Sequence, residues 1–166
     1  MRSKGFSLIE LLIVVAIILI LAAIAIPNLL RAHMAADESS AAAGVRTLVT
    51  GMVAYAGAYP GVGYAPSLTD LGPSGGNPCS PSSAGACLID DSLASGIKSG
   101  YNFTAAGVNP EAGWYSQFLI TATPVNLNTS GVKGFCAIDE LAVRYTSPSP
   151  VSIQYSDCLT YSPVGD

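Results

Sequence analysis

The stretch that most constrains this chain is Phe6–Ile26, an almost unbroken aliphatic run whose one charge is Glu10; the next charge after it is Arg31. A helix needs roughly 20 mostly apolar residues to cross about 30 Å of hydrocarbon, and this run supplies them. Arg2 and Lys4 stand immediately before it. Basic residues are held on the cytoplasmic side, so the start of the helix is expected inside and everything after Arg31 outside. A secretory signal cut after Ala23-Ile24-Ala25 would need an apolar core of only about 7–15 residues. The run is longer than that, and a glutamate at its head serves no purpose in a discarded signal.

The 166 residues carry a net charge of -4. Beyond the N-terminal run the cations are Arg31, Arg46, Lys98, Lys133 and Arg144, scattered along the chain. Phosphate backbones are bound by clustered Lys and Arg, so general nucleic-acid binding is not expected. Four cysteines, Cys79, Cys87, Cys136 and Cys158, behind a membrane-targeting segment read as two disulfides in an oxidising compartment. Three pairings are open. We favour Cys79–Cys87, closing a small loop, with Cys136–Cys158 stapling the C-terminal segment. Metal binding is disfavoured because no CxxC pair occurs and His33 is the only histidine, so no metal and no cofactor are expected. His33 reads as an interfacial polar residue rather than a catalytic base.

Pro27 lacks an N–H and crowds the preceding turn, so a kink or local melting is expected there. Beyond it Val45, Leu48, Val49, Met52, Val53 and Ala56 repeat at helical spacing and predict one apolar stripe. A single helix from about Ser7 to about Ala56 follows, apolar all round and then amphipathic, closed by Gly57, Tyr59 and Pro60. Gly44 and Gly51 weaken it by about 1 kcal/mol each, which suggests a close neighbour. Residues 60–96 read as an irregular connection with one short helix at Ser67–Leu71, fastened by the Cys79–Cys87 bridge. Strands are expected at Tyr101–Phe103, Trp114–Thr121, Gly134–Ile138, Leu141–Tyr145 and Val151–Tyr155, with a turn at Asp139-Glu140. The fold class is α+β: a long N-terminal helix packed on a small antiparallel sheet.

Lys4-Gly5-Phe6-Ser7-Leu8-Ile9-Glu10 with Leu11–Ile26 and the following proline resembles the N-terminus of type IV pilins and of the related type II secretion pseudopilins. The resemblance is strong over the first thirty residues and weaker over Ser99-Gly100-Tyr101, Ala122-Thr123-Pro124, Gly134-Phe135 and Val143-Arg144-Tyr145. It implies a leader of residues 1–5, an assembly helix of residues 6–30 and a head of residues 31–166. It implies cleavage between Gly5 and Phe6 by a prepilin peptidase, methylation of the Phe6 amine, and pairing of Glu10 with a neighbouring subunit's N-terminus. A buried charge without a partner costs about 3–5 kcal/mol, which agrees with that pairing. The resemblance further implies a homo-oligomeric helical filament, with an inner-membrane platform and an assembly ATPase as partners and membrane lipid as the environment before assembly. The chain is then expected in the bacterial inner membrane, and later in an extracellular pilus.

A pseudopilin of a secretion system is the alternative, and a minor pilin another. The C-terminal acids Asp139, Glu140, Asp157 and Asp166 form no ligand-dense calcium loop, which favours the pilus. No nucleotide, zinc-hydrolase or nucleophile-elbow motif occurs, so no enzyme is expected. No aromatic residue lies between Phe6 and Tyr55, so a continuous aromatic path along the helix is not offered.

Overall fold

The computed structural model describes residues 7–73 and 79–165. Helix α1 spans Leu8–Ala58 and passes through Pro27. The local melting considered at Pro27 does not occur, although the proline supplies no N–H to the Ala23 carbonyl. The chain divides into two compact units, residues 1–33 and residues 34–166.

In the first unit every Leu, Ile and Val from Leu8 to Leu30 is exposed. Among the described residues, α1 is the helix long and apolar enough to cross a membrane.

The second unit has its own core. On α1 the buried residues are Ala41, Ala42, Gly44, Val45, Leu48, Val49, Gly51, Met52 and Tyr55. Val53, placed on the expected stripe, is 46% exposed. The buried face is turned toward the glycines instead. A Cβ at Gly44 would stand 2.8 Å from the Phe103 ring, and one at Gly51 would touch Ile89 at 3.4 Å. Those two positions let α1 lie close to its neighbours, which offsets their poor helix propensity.

Two short helices follow, α2 (Leu68–Leu71) and α3 (Asp91–Ala94). The Ser67 backbone and hydroxyl both donate to the Asp70 carboxylate, at 2.9 and 2.6 Å, fixing the start of α2. Asp90 caps α3 by accepting from the Leu93 N–H at 3.0 Å. Backbone bonds from Ala86 to Asp70, Cys87 to Gly72 and Leu88 to Leu71 pull the connection together. Cys79 and Cys87 are joined there in a disulfide with Cα atoms 6.3 Å apart.

The sheet is an antiparallel meander of β1 (Ile97–Lys98), β2 (Tyr101–Glu111), β3 (Trp114–Pro124), β4 (Gly134–Ile138), β5 (Val143–Thr146) and β6 (Ser162–Pro163). The β2–β3 hairpin is the longest pairing, from Tyr101 opposite Pro124 to Glu111 opposite Trp114. Its turn is Ala112-Gly113, both at positive φ, the mirror-type conformation that matches strand twist. Tyr101, Phe103 and Ala105 from β2, with Phe118, Ile120 and Ala122 from β3, lie in one core with the α1 residues. This architecture is pilin-like α+β.

One expected strand is absent. Val151–Tyr155 is irregular and runs into α4 (Tyr155–Cys158). Only Ile153 of its alternating apolar residues is buried, and the Gln154 N–H donates to the Asp157 carboxylate at 3.1 Å to begin the helix. Local capping and the bond to Cys136 outweigh the β-like alternation.

Candidate assembly surface

Gly5 and Phe6 lie outside the described residues. Glu10 falls in the first turn of α1, where unpaired N–H groups favour a negative charge. The ion pairs among the described residues are Lys98–Asp90, Lys133–Glu38 and Arg144–Glu140, so Glu10 has no cationic partner there. Around it the surface of α1 is aliphatic and exposed.

In the head, three devices hold the sheet to its surroundings. The first is Glu38, whose side chain is 14% exposed. Its Oε1 accepts from the N–H groups of Val132 at 2.9 Å and Lys133 at 3.2 Å, and its Oε2 meets Lys133 Nζ at 3.2 Å. Burial pushes the carboxyl up, but the Val132 bond and the three contributions of Lys133 outweigh it and hold the group below the usual glutamate range. Tyr101 beside it donates to the Lys133 carbonyl at 2.9 Å. Burial, together with the charges of Glu38 and Asp37, pushes that phenol well up.

The second device is the disulfide Cys136–Cys158, with Cα atoms 6.0 Å apart and a separation of 22 positions in sequence. It draws the C-terminal segment against β4, where Cys136, Ile138, Ile153 and Cys158 form a second small core flanked by Leu119, Tyr155 and Tyr161. The third is a polar chain beside it. Asn109 donates to Gln117, Gln117 Nε2 donates to the Tyr155 hydroxyl at 2.9 Å, and Tyr155 donates to Asp139. Burial and the Asp139 bond push the Tyr155 phenol up to about 12.

Sequence reasoning placed the cysteines, Glu10 and Pro27 but passed over Glu38, Tyr155 and Trp114. Glu38 and Tyr155 take their meaning from partners 94 and 16 residues away, so no local pattern announces them. The Gln154–Asp157 spacing was a usable capping signal. Among the described residues no group of three or more His, Cys, Asp or Glu is placed to hold a metal ion.

The N-terminal segment has known relatives. Residues 1–26 match the family described as a prokaryotic N-terminal methylation motif. The chain is also 53% identical over 49 residues to a type IV major pilin protein of Myxococcus xanthus, covering 30% of this chain and 22% of the relative. By its N-terminal segment this chain is similar to type IV pilins. A type IV wide pilus major component of Thermus thermophilus is 63% identical over 38 residues, 23% of this chain and 29% of that relative. The matched stretches thus span less than a third of either relative. No solved structure matches the chain.

Proposed function

We propose that this chain is a structural subunit of a type IV pilus, inserted in the inner membrane through α1 and then polymerised through the same helix. The observation that carries the reading is the exposure of every large aliphatic from Leu8 to Leu30, most of them inside the stretch, residues 1–26, that matches a methylation motif. At about 25 cal/mol per Å², that much apolar surface cannot stay in water. Lipid covers it first, and neighbouring helices cover it in the filament.

In this reading a prepilin peptidase cuts between Gly5 and Phe6 and methylates the new amine. Glu10 pairs with the Phe6 amine of an adjacent subunit, because a carboxylate at that depth needs a cation. Pro27 kinks the helix where it packs against its neighbours. An assembly platform and an ATPase supply the work, and the head reaches the outside, where both disulfides persist.

Mass spectrometry of the mature chain should find an N-methylated Phe6 as its first residue; a chain starting at Ile26 would sink the proposal. Glu10→Ala should leave membrane insertion intact and lower filament yield at least about tenfold, the effect of roughly 1.4 kcal/mol in docking. Unchanged yield would remove Glu10 from assembly. Deletion of the chain should abolish surface filaments and spare protein secretion, whereas the reverse would make it a pseudopilin.

A further inference from the structure

The unit of residues 34–166 has four basic side chains, Arg46, Lys98, Lys133 and Arg144. Three are answered within the chain: Lys98 by Asp90 at 3.1 Å, Lys133 by Glu38 at 3.2 Å and Arg144 by Glu140 at 2.7 Å. Arg46 is exposed on α1 and has no acidic partner among the described residues. The positions one helical turn away from it, Ala42, Ala43, Val49 and Thr50, are all uncharged.

Arg46 stands at a groove of about 370 Å³ on one side of α1, lined by Ala35, Ser39, Ala42, Lys133 and Phe135 among others. Lys133 is already neutralised there by Glu38. Arg46 therefore leaves that side of the helix with positive charge in excess.

The other side carries the opposite sign. A second groove, of about 400 Å³, runs between Ser40, Ala43 and Thr47 of α1 and the connection at Asp90 and Lys98. Asp90 and Lys98 satisfy each other, but Asp91 is exposed next to them, and Asp37 stands one turn of α1 before Ser40. Neither Asp37 nor Asp91 is in an ion pair among the described residues. Asp37 is half-buried beside Gly100. Nine residues, about two and a half helical turns, separate it from Arg46. The two groups therefore face opposite ways and stand about 13.5 Å apart along the axis, so a single chain cannot join them.

We propose that Arg46 of one copy pairs with Asp37 of an adjacent copy in the filament, the cationic side of one α1 against the acidic side of the next. The proposal rests on the filament reading above. An open filament joins unlike faces of its subunits, and α1 presents two faces of opposite charge. The register agrees as well. Pairing Glu10 with a neighbour's Phe6 amine offsets the two copies by four positions along α1, about 6 Å, and identical copies keep that offset at every level. Asp37 of that neighbour then lies level with Ala41, about 7.5 Å from Arg46 toward the N-terminus. Helical side chains lean in that direction, and the long arginine stem closes the gap. An offset in the reverse sense would put Asp37 about 19.5 Å from Arg46 along the axis, out of reach. One exposed ion pair is weak, so the contact orients each head against the next while the apolar helices drive assembly.

The test is carried out on full-length chains assembled into filaments. Arg46→Glu should lower filament yield at least about tenfold, because it sets like charges against each other, with the melting temperature of the head unchanged. Asp37→Lys alone should do the same. The double variant Arg46→Glu/Asp37→Lys restores the pair with its signs exchanged and should recover most of the yield, which a purely structural role of either residue would not allow. In filaments mixed from Arg46→Cys chains and Asp37→Cys chains, a short bis-maleimide should join the two variants into a dimer. Filaments of Arg46→Cys chains alone should give none. Normal yield from Arg46→Glu would overturn the proposal, with Arg46 then free for an acidic group outside the filament. So would a double variant no better than the single ones. Unaltered chains that make no filaments would overturn the filament reading, and this contact with it.

Discussion

From Leu8 to Leu30 the aliphatic side chains of α1 all face outward, whereas from Ala41 to Tyr55 one face of the same helix is buried among Phe103, Phe118 and Ile120. The backbone geometry is common to both stretches, but the source of stability is not. The aliphatic side chains of the first stretch are left uncovered by the described residues, and in the proposed reading lipid or other copies cover them. The second is the structural spine of a core that the chain completes alone. The apolar content of a helix therefore does not reveal which kind it is. The glycines do. Gly44 and Gly51 mark the face where a partner in the same chain comes close.

The most forceful way to break this comparison is to truncate one leucine in each stretch. Leu48→Ala should destabilise the head by about 2–5 kcal/mol, seen as a large fall in its melting temperature. Leu19→Ala should leave that temperature unchanged within about 0.5 kcal/mol. Equal losses would mean that the two stretches are one cooperative unit.

A smaller contrast concerns two glycines. Gly44→Ala pushes a methyl into the Phe103 ring and should cost about 1–3 kcal/mol, despite the better helix propensity of alanine. Gly57→Ala faces open space and should stabilise by up to about 1 kcal/mol. Chemical denaturation of the two variants separates them by sign. Stabilisation by both would show that α1 does not need its close approach.

The smallest effect concerns Glu38. Its carboxyl is held below the usual glutamate range, so its contribution is fully present above about pH 4.3. That contribution is lost as pH falls through the lowered folded value. Glu38→Gln should weaken the head slightly at neutral pH and flatten this acid dependence. Acid unfolding profiles that superimpose would remove Glu38 as a source of it.

Much of the fold could be read from local pattern. The apolar run, the helical spacing of Val45, Leu48, Val49 and Met52, and the Ser67–Asp70 start of α2 all act within a few residues. Strand β2 was read too short, because Ala105 and Gly107 carry little apolar signal and earn their place by contact. A Cβ at Gly107 would collide with the Tyr115 ring. Val151–Tyr155 was misread for the opposite reason. Its alternation is genuine, but a covalent bond from Cys158 to Cys136 and two prolines just ahead of it, Pro148 and Pro150, override the pattern. For the functional surface, the sequence showed the N-terminal helix plainly and the head hardly at all.

The bond between Cys136 and Cys158 has one more consequence. The exposed turn around Val151 is where a protease would cut first, and it lies between the two bonded cysteines. A chain nicked there keeps both fragments covalently joined, and β5 and β6 stay paired at Tyr145 and Ser162. Damage at this exposed point of the head would then leave its outline whole and release no fragment.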